Sequence, residues 1–210
     1  MTRTVFAAIL TLPLLAADPA LTKLLNKVEV RYNGAKTLQV AFEESFTGSG
    51  PMRKAESGEL FLRKPGRMRW EYKKPSGKLF VSDGKNIFYF NPASNRGERV
   101  SLKESEDLRT PLAFLLGKLD FEKDFGNIFA KEVTPDTVIT AQPKSDRLPY
   151  KRVEFTVSTQ QEIRKLMIMG HDDSVLTFDF WNERMNPPLD EKLFQFQLPP
   201  GATWVEGAGQ

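Results

Sequence analysis

The chain has 210 residues, of which 40% are hydrophobic and 27% charged, with 30 Lys and Arg set against 27 Asp and Glu. That length suits one domain with a sizeable core, and the composition excludes disordered and collagen-like chains. The charges are interleaved without a basic block, which argues against nucleic acid as a partner, and the lack of any cysteine excludes disulfides and thiol chemistry.

Residues 1–17 (MTRTVFAAILTLPLLAA) run from a single cation, Arg3, through an apolar stretch to small residues. This pattern predicts a secretory signal peptide, because the apolar run is too short to span a bilayer. A single domain is expected over residues 18–210. With no cysteine to accept a lipid anchor, the exported chain is expected to be free in solution.

Asp18 and Pro19 suit an N-cap and first helical position. Leu21, Leu24, Leu25, Val28 and Tyr32 then recur at helical spacing until Gly34, which predicts an amphipathic helix with one apolar stripe. From Leu38 the period becomes two: Leu38, Val40, Phe42 and Phe46 fall on one face, Gln39, Glu43 and Ser45 on the other. Short alternating runs follow, separated by the turn signals Pro65-Gly66, Pro75-Ser76-Gly77, Asp83-Gly84 and Asn91-Pro92. In one of them Arg67, Arg69 and Glu71 alternate with Met68, Trp70 and Tyr72, the mark of an antiparallel sheet wet on one side.

The β pattern breaks at Thr110-Pro111, where Leu112, Leu115 and Leu116 before Gly117 predict a short helix. A further helix is expected from Asp120, with Phe121, Phe125, Ile128 and Phe129 at helical spacing and Gly126 weakening it by about 1 kcal/mol. Strands resume at Val138–Ala141, Val153–Val157, Ile163–Met169 and Val175–Trp181, and Phe194–Leu198 and Trp204-Val205 are read as the last strand material. The pattern amounts to a mainly β chain of roughly eleven strands with three helical segments.

Catalytic groups are scarce. His171 is the only imidazole, and it falls in a predicted hairpin turn beside Asp172 and Asp173. No metal-ligand spacing stands out, and neither Gly117-Lys118 nor Gly48-Ser49-Gly50 has the context of a phosphate- or dinucleotide-binding loop. The expectation is a binding protein with no enzyme activity, no cofactor and no metal.

The most specific stretch is Gly58-Glu59-Leu60-Phe61-Leu62-Arg63-Lys64-Pro65-Gly66-Arg67-Met68-Arg69-Trp70, followed by Ser82-Asp83-Gly84-Lys85-Asn86-Ile87-Phe88-Tyr89-Phe90-Asn91-Pro92. Together with Thr110-Pro111-Leu112 and Phe194-Gln195-Phe196 to Pro200-Gly201, it resembles the LolA family of periplasmic lipoprotein carriers, from about Leu21 to Val205. The resemblance implies an open antiparallel half-barrel under a lid of helices with a hydrophobic cavity between them. It also implies a monomeric periplasmic chaperone that takes acylated lipoproteins from an inner-membrane ABC exporter towards the outer membrane, where a receptor is left open. The family usually places an arginine before the proline, where it holds the lid by hydrogen bonds to helix backbone; here Lys64 stands there, without the planar fork, and is expected to make a weaker latch.

On this reading Leu112, Leu115, Leu116, Phe121 and Phe125 close over Met68, Trp70, Tyr72, Phe88 and Phe90 when no lipid is bound. The 16 Phe against 4 Tyr and 3 Trp agree with a ligand that has no polar landmarks. The alternative is a periplasmic lipid- or glycolipid-binding carrier or sensor of the same fold.

Overall fold

The computed structural model describes residues 18–50, 53–102, 119–146 and 148–205. The predicted signal peptide and the predicted helix after Thr110 lie outside these residues. Helix α1 (Pro19–Gly34) begins where expected: the Asp18 side chain accepts from the backbone N–H of Ala20 at 2.9 Å, and Pro19 follows as first helical residue. Of its apolar stripe, Val28 and Tyr32 are buried, while Leu24 and Leu25 pack half-buried on the same core.

The chain then forms β1 (Thr37–Thr47), β2 (Glu56–Arg63), β3 (Arg67–Lys74), β4 (Leu79–Asp83), β5 (Asn86–Asn91) and β6 (Arg96–Ser101). After a single helical turn, α2 (Phe121–Asp124), come β7 (Phe125–Val133), β8 (Asp136–Pro143), β9 (Tyr150–Val157), β10 (Ile163–Gly170) and β11 (Val175–Met185), then a 3-10 turn (Glu191–Phe194) and β12 (Thr203–Trp204). The twelve strands among the described residues join one sheet in the order β12-β6-β5-β4-β3-β2-β1-β11-β10-β9-β8-β7. Every pairing is antiparallel except that of β12 with β6. The sheet is open, since its end strands β7 and β12 do not meet.

Two expectations are corrected. The helix from Asp120 stops after one turn, and Phe125, Ile128 and Phe129 lie in a strand. Gly126 weakens the helix, Asn127 takes a φ of 46°, and β8 offers a ladder in which Phe129–Val133 pair with Thr140–Asp136. Phe129 is consequently 66% exposed. Residues Phe194–Leu198 form no strand. Their alternation reflects side chains plugged into the surface of a sheet already present: Phe196 stacks on Phe88 at 5.1 Å, and a Cβ added to Gly97 would meet Leu198 Cδ1 at 2.5 Å. Gly97 is thus required by close approach.

The sheet is curled. Strands β3 and β11 are separated by β2 and β1, which on a flat sheet would put them about 14 Å apart at about 4.8 Å per strand. Yet the Trp70 and Phe178 rings lie 5.4 Å apart, and Trp70 meets Phe42 of β1 at 4.6 Å. Tyr72 also reaches Phe42 at 5.1 Å across β2, where Gly58 supplies no side chain to intervene. A Cβ at Gly58 would sit 2.1 Å from the Glu71 carbonyl oxygen, so glycine is demanded by the bulge at Ser57/Gly58. The main core fills the inside of this curl and runs from Leu38 and Trp70 to Phe155 and Ile139.

Candidate functional site

The inner face is set by register. Val40 lies opposite Leu60, Leu60 opposite Trp70, Trp70 opposite Phe80, and Phe80 opposite Tyr89. Directly opposed residues share a face, so Met68, Trp70 and Tyr72 point inward, where all three are buried. Phe88 and Phe90 do not join them. Phe88 lies opposite Val81, itself opposite Arg69, and Phe90 lies opposite Leu79 and Gly97, on the outer face beneath Phe196, Leu198 and Trp204. Strand β5 is apolar on both sides, with Ile87 and Tyr89 inward and Phe88 and Phe90 outward. Alternation alone could not tell which pair faces the curl; the two-residue turn at Gly84-Lys85 decided it.

The inner face is covered by α1 and the segment Leu119–Phe125. Phe121 and Phe125 are buried there, their rings 5.4 and 6.1 Å from Phe155 of β9. Leu112, Leu115 and Leu116 lie outside the described residues. The two parts of the cover are joined by the Asn33 side-chain amide, which donates to the Leu119 carbonyl at 2.8 Å and accepts from the Leu119 N–H at 2.7 Å. Glu29 adds a third bond, accepting from the Phe121 N–H at 2.7 Å.

Lys64, directly after β2, bonds to α1. Its ammonium donates to the Tyr32 carbonyl in the last turn of α1 at 2.6 Å, where a cation also suits the helix dipole. Half-burial lowers its pKa through desolvation. Beneath the bond, the cavity among Tyr32, Leu38, Leu62 and Lys64 is about 10 Å³, no more than one water needs.

A second fastening was not read from the sequence. The Tyr32 hydroxyl donates to Glu183 of β11 at 2.6 Å and accepts from the Ile163 N–H at 2.8 Å, while Arg31 reaches the same carboxylate at 2.5 and 3.1 Å and Glu162 at 3.5 Å. Burial, then the neighbouring Glu183 charge, pushes the Tyr32 phenol well above its ordinary pKa, so it remains a donor. No local signal marked it, since Glu183 stands between the equally polar Asn182 and Arg184 at the end of its strand.

The far end of the inner face is polar. Glu44 lies inward opposite Glu56, and accepts from the Tyr72 hydroxyl at 2.9 Å. The Lys78 ammonium pairs with Glu56 and sits 4.2 Å over the Tyr72 ring. Burial raises the Glu44 pKa, and it raises that of Tyr72 as well. The parity of β1, with Leu38, Val40 and Phe42 inward, already placed Glu44 on this face. His171 sits in the β10–β11 turn, exposed, with Nε2 3.0 Å from the Leu148 carbonyl. What the site offers is therefore a curled aromatic and aliphatic surface, closed by a cover fastened with polar bonds.

Residues 33–197 match the family model described as outer membrane lipoprotein carrier protein LolA. An outer-membrane lipoprotein carrier protein of Nitrosomonas europaea is 28% identical over 204 residues, covering 96% of this chain and 97% of the relative. The fold is similar to that of an uncharacterized conserved protein of Thermus thermophilus, with a TM-score of 0.55, 10% identity and coverage of 89% of this chain and 98% of that one. It is similar also to the Mycobacterium tuberculosis lipoprotein LppX, with a TM-score of 0.53, 15% identity and coverage of 83% and 99%.

Proposed function

Since this chain belongs to the LolA family of outer membrane lipoprotein carrier proteins, we propose that it carries lipoproteins across the periplasm by sheltering their acyl chains against the inner face of its sheet. The observation that carries the reading is the curl itself, which brings Trp70 against both Phe42 and Phe178 under a cover held by a few polar bonds. An acyl chain gains about 0.8 kcal/mol for each buried CH₂, so a chain of about sixteen carbons would bind too tightly to release if nothing opposed it. The cover opposes it. Phe121 and Phe125 must leave the core, and Lys64 and Glu183 must give up their bonds to α1, before the chain can occupy the space. Loading and unloading then differ by a small free energy, which suits a carrier.

In this reading the cargo comes from an inner-membrane ABC exporter and is passed on towards the outer membrane by a monomeric carrier. The chain acts by binding alone; the residues that touch the cargo are Met68, Trp70 and Tyr72, with Phe121 and Phe125 on the cover.

The test is a comparison of one lipoprotein in its diacylated and unacylated forms. After detergent removal, the chain from Asp18 onward is expected to hold the diacylated form in solution at equal stoichiometry and to leave the unacylated form unbound. Trp70 is buried while Trp181 and Trp204 are 45% and 46% exposed, so a shift in the blue part of the emission reports occupancy of the inner face. Equal binding of the two forms overturns the proposal, and exclusive binding of glycolipid would assign the same face to a different cargo.

A further inference from the structure

The polar far end of the inner face draws its side chains from neighbouring strands: Glu44 of β1, Glu56 of β2, Tyr72 of β3, Lys78 directly before β4 and Tyr89 of β5. The Lys78 ammonium pairs with Glu56 and lies 4.2 Å from the centre of the Tyr72 ring and 5.9 Å from that of Tyr89. Its charge is answered on three sides. That of Glu44 is not. The Tyr72 hydroxyl donates to Glu44 Oε2 at 2.9 Å, but Oε1 accepts no hydrogen bond and the carboxylate forms no ion pair among the described residues. Directly opposite stands a second carboxylate, Glu56. Arg53, the other cation nearby, is exposed and lies 4.5 Å over the Phe46 ring. Burial keeps the Glu44 pKa above its ordinary value in spite of the Tyr72 bond and the Lys78 charge.

The position of this acceptor matters as much as its chemistry. Glu44 follows Phe42 by two residues on the same face, about 7 Å along the strand, and its neighbour on β11 is Phe178. Phe42 and Phe178 both meet Trp70. An acyl chain lying on these rings brings the group it is attached to within reach of Glu44 Oε1. There a carboxylate is repelled, a hydroxyl supplies a donor without charge, and an ammonium supplies both. Lys78 already places one ammonium against the same rings, the surroundings in which such a cation is favoured.

We propose that Glu44, with Glu56 and the rings of Tyr72 and Tyr89 beside it, is a subsite for an ammonium group borne by the acylated ligand, so that the inner face selects amine-headed acyl chains. This rests on the carrier reading above, and the experiment separates the two. The chain from Asp18 onward is titrated calorimetrically at neutral pH with dodecylamine, dodecanol and dodecanoate, each below its aggregation threshold. An ammonium leaves water less readily than a hydroxyl, and the net charge of the chain is positive, so preference for the amine requires a partner in the site. Dodecylamine is expected to bind about ten-fold or more tighter than dodecanol. Glu44→Gln, its fold verified by its urea midpoint, is expected to lose that preference while binding dodecanol as the wild type does. Equal binding of amine and alcohol by the wild type overturns the proposal whether or not the variant folds, and leaves the carrier reading standing. A preference that survives in Glu44→Gln overturns it as well, as does tightest binding of dodecanoate, which would give the row to an anion through Lys78. Binding of none of the three removes both readings. Two further pairs identify the source of the ammonium. Weaker binding of a diacylated lipopeptide once its free α-amine is acetylated assigns the group to a lipoprotein's own terminus. Unchanged lipopeptide binding, with lysophosphatidylethanolamine preferred to lysophosphatidylglycerol, assigns it to a phospholipid head.

Discussion

Glu44 sits where the alternation of β1 places an inward side chain, between Glu56 of β2 and Phe178 of β11. Two carboxylates directly opposite one another repel, and burial adds to the cost of the charge. The Tyr72 hydroxyl and the Lys78 ammonium offset part of it. Because burial raises the Glu44 pKa, the folded state binds this proton more tightly than the unfolded chain does. The stabilisation from that proton is fully present below the ordinary carboxylate range and is lost as pH rises through the raised value. Glu44→Gln is therefore expected to gain stability over wild type at neutral pH and to lose that advantage in acid. Urea midpoints taken across the acid-to-neutral range check this; parallel curves for the two chains would refute it.

At the scale of elements, the proposed carrier cycle makes α1 the part whose attachment decides whether the inner face opens. Its burial of Val28 and Tyr32 gives adhesion, but the geometry of attachment comes from Lys64 donating to the Tyr32 carbonyl and from Tyr32 donating to Glu183. A hydrogen bond to a charged group contributes about 1.5–3 kcal/mol. Lys64→Ala should lower global stability by about that amount or less, and should speed amide exchange in the last turn of α1 while leaving β8 and β9 protected. Exchange that rises uniformly over the whole chain would mean that Lys64 supports the fold at large and does not act as a fastening of the helix. Lys64→Arg tests whether a planar fork at this position tightens the attachment, since guanidinium could reach a second carbonyl of the same turn.

The whole molecule has two apolar layers on one sheet. The inner layer lies under α1 and Leu119–Phe125, and a smaller outer layer joins Val81, Phe88 and Phe90 to the C-terminal strap through Phe194, Phe196 and Trp204. The strap also pairs β12 with β6 and so blunts one end of the sheet; the other end, β7, carries Lys131 and Glu132 on its exposed run. The two layers should separate stability from binding. Trp70→Ala is expected to cost about 3–5 kcal/mol and to weaken acyl-chain binding, while Phe88→Ala, half-buried on the outer face, should cost about 1–3 kcal/mol and leave binding unchanged. Denaturant melts and fatty-acid titrations of the same two variants provide the check. Weakened binding in Phe88→Ala at a stability where the chain is still folded would contradict the division into layers.

The start of α1, the strict alternation of Met68, Trp70 and Tyr72 and the meander of turns could be read along the chain, because caps, period and turn residues are local properties of neighbouring side chains. So could the resemblance around Lys64-Pro65, and from it the expectation of a latch. The helix extended past Asp120 could not be told from a strand, since Phe121, Phe125 and Phe129 fit a helical period while the β8 ladder that wins is contributed from elsewhere. Nor could the face of Phe88 and Phe90 be assigned: β5 is apolar on both sides, and only pairing with β4 orients it. The Tyr32–Glu183 fastening joins residues 151 positions apart, a contact that no local pattern encodes. The sequence alone settled a mainly antiparallel β chain that opens with an amphipathic helix. Which aromatic rings meet inside the curl, and which polar bonds keep them covered, was decided by long-range register and curvature, because those depend on strands far apart in the chain being brought side by side.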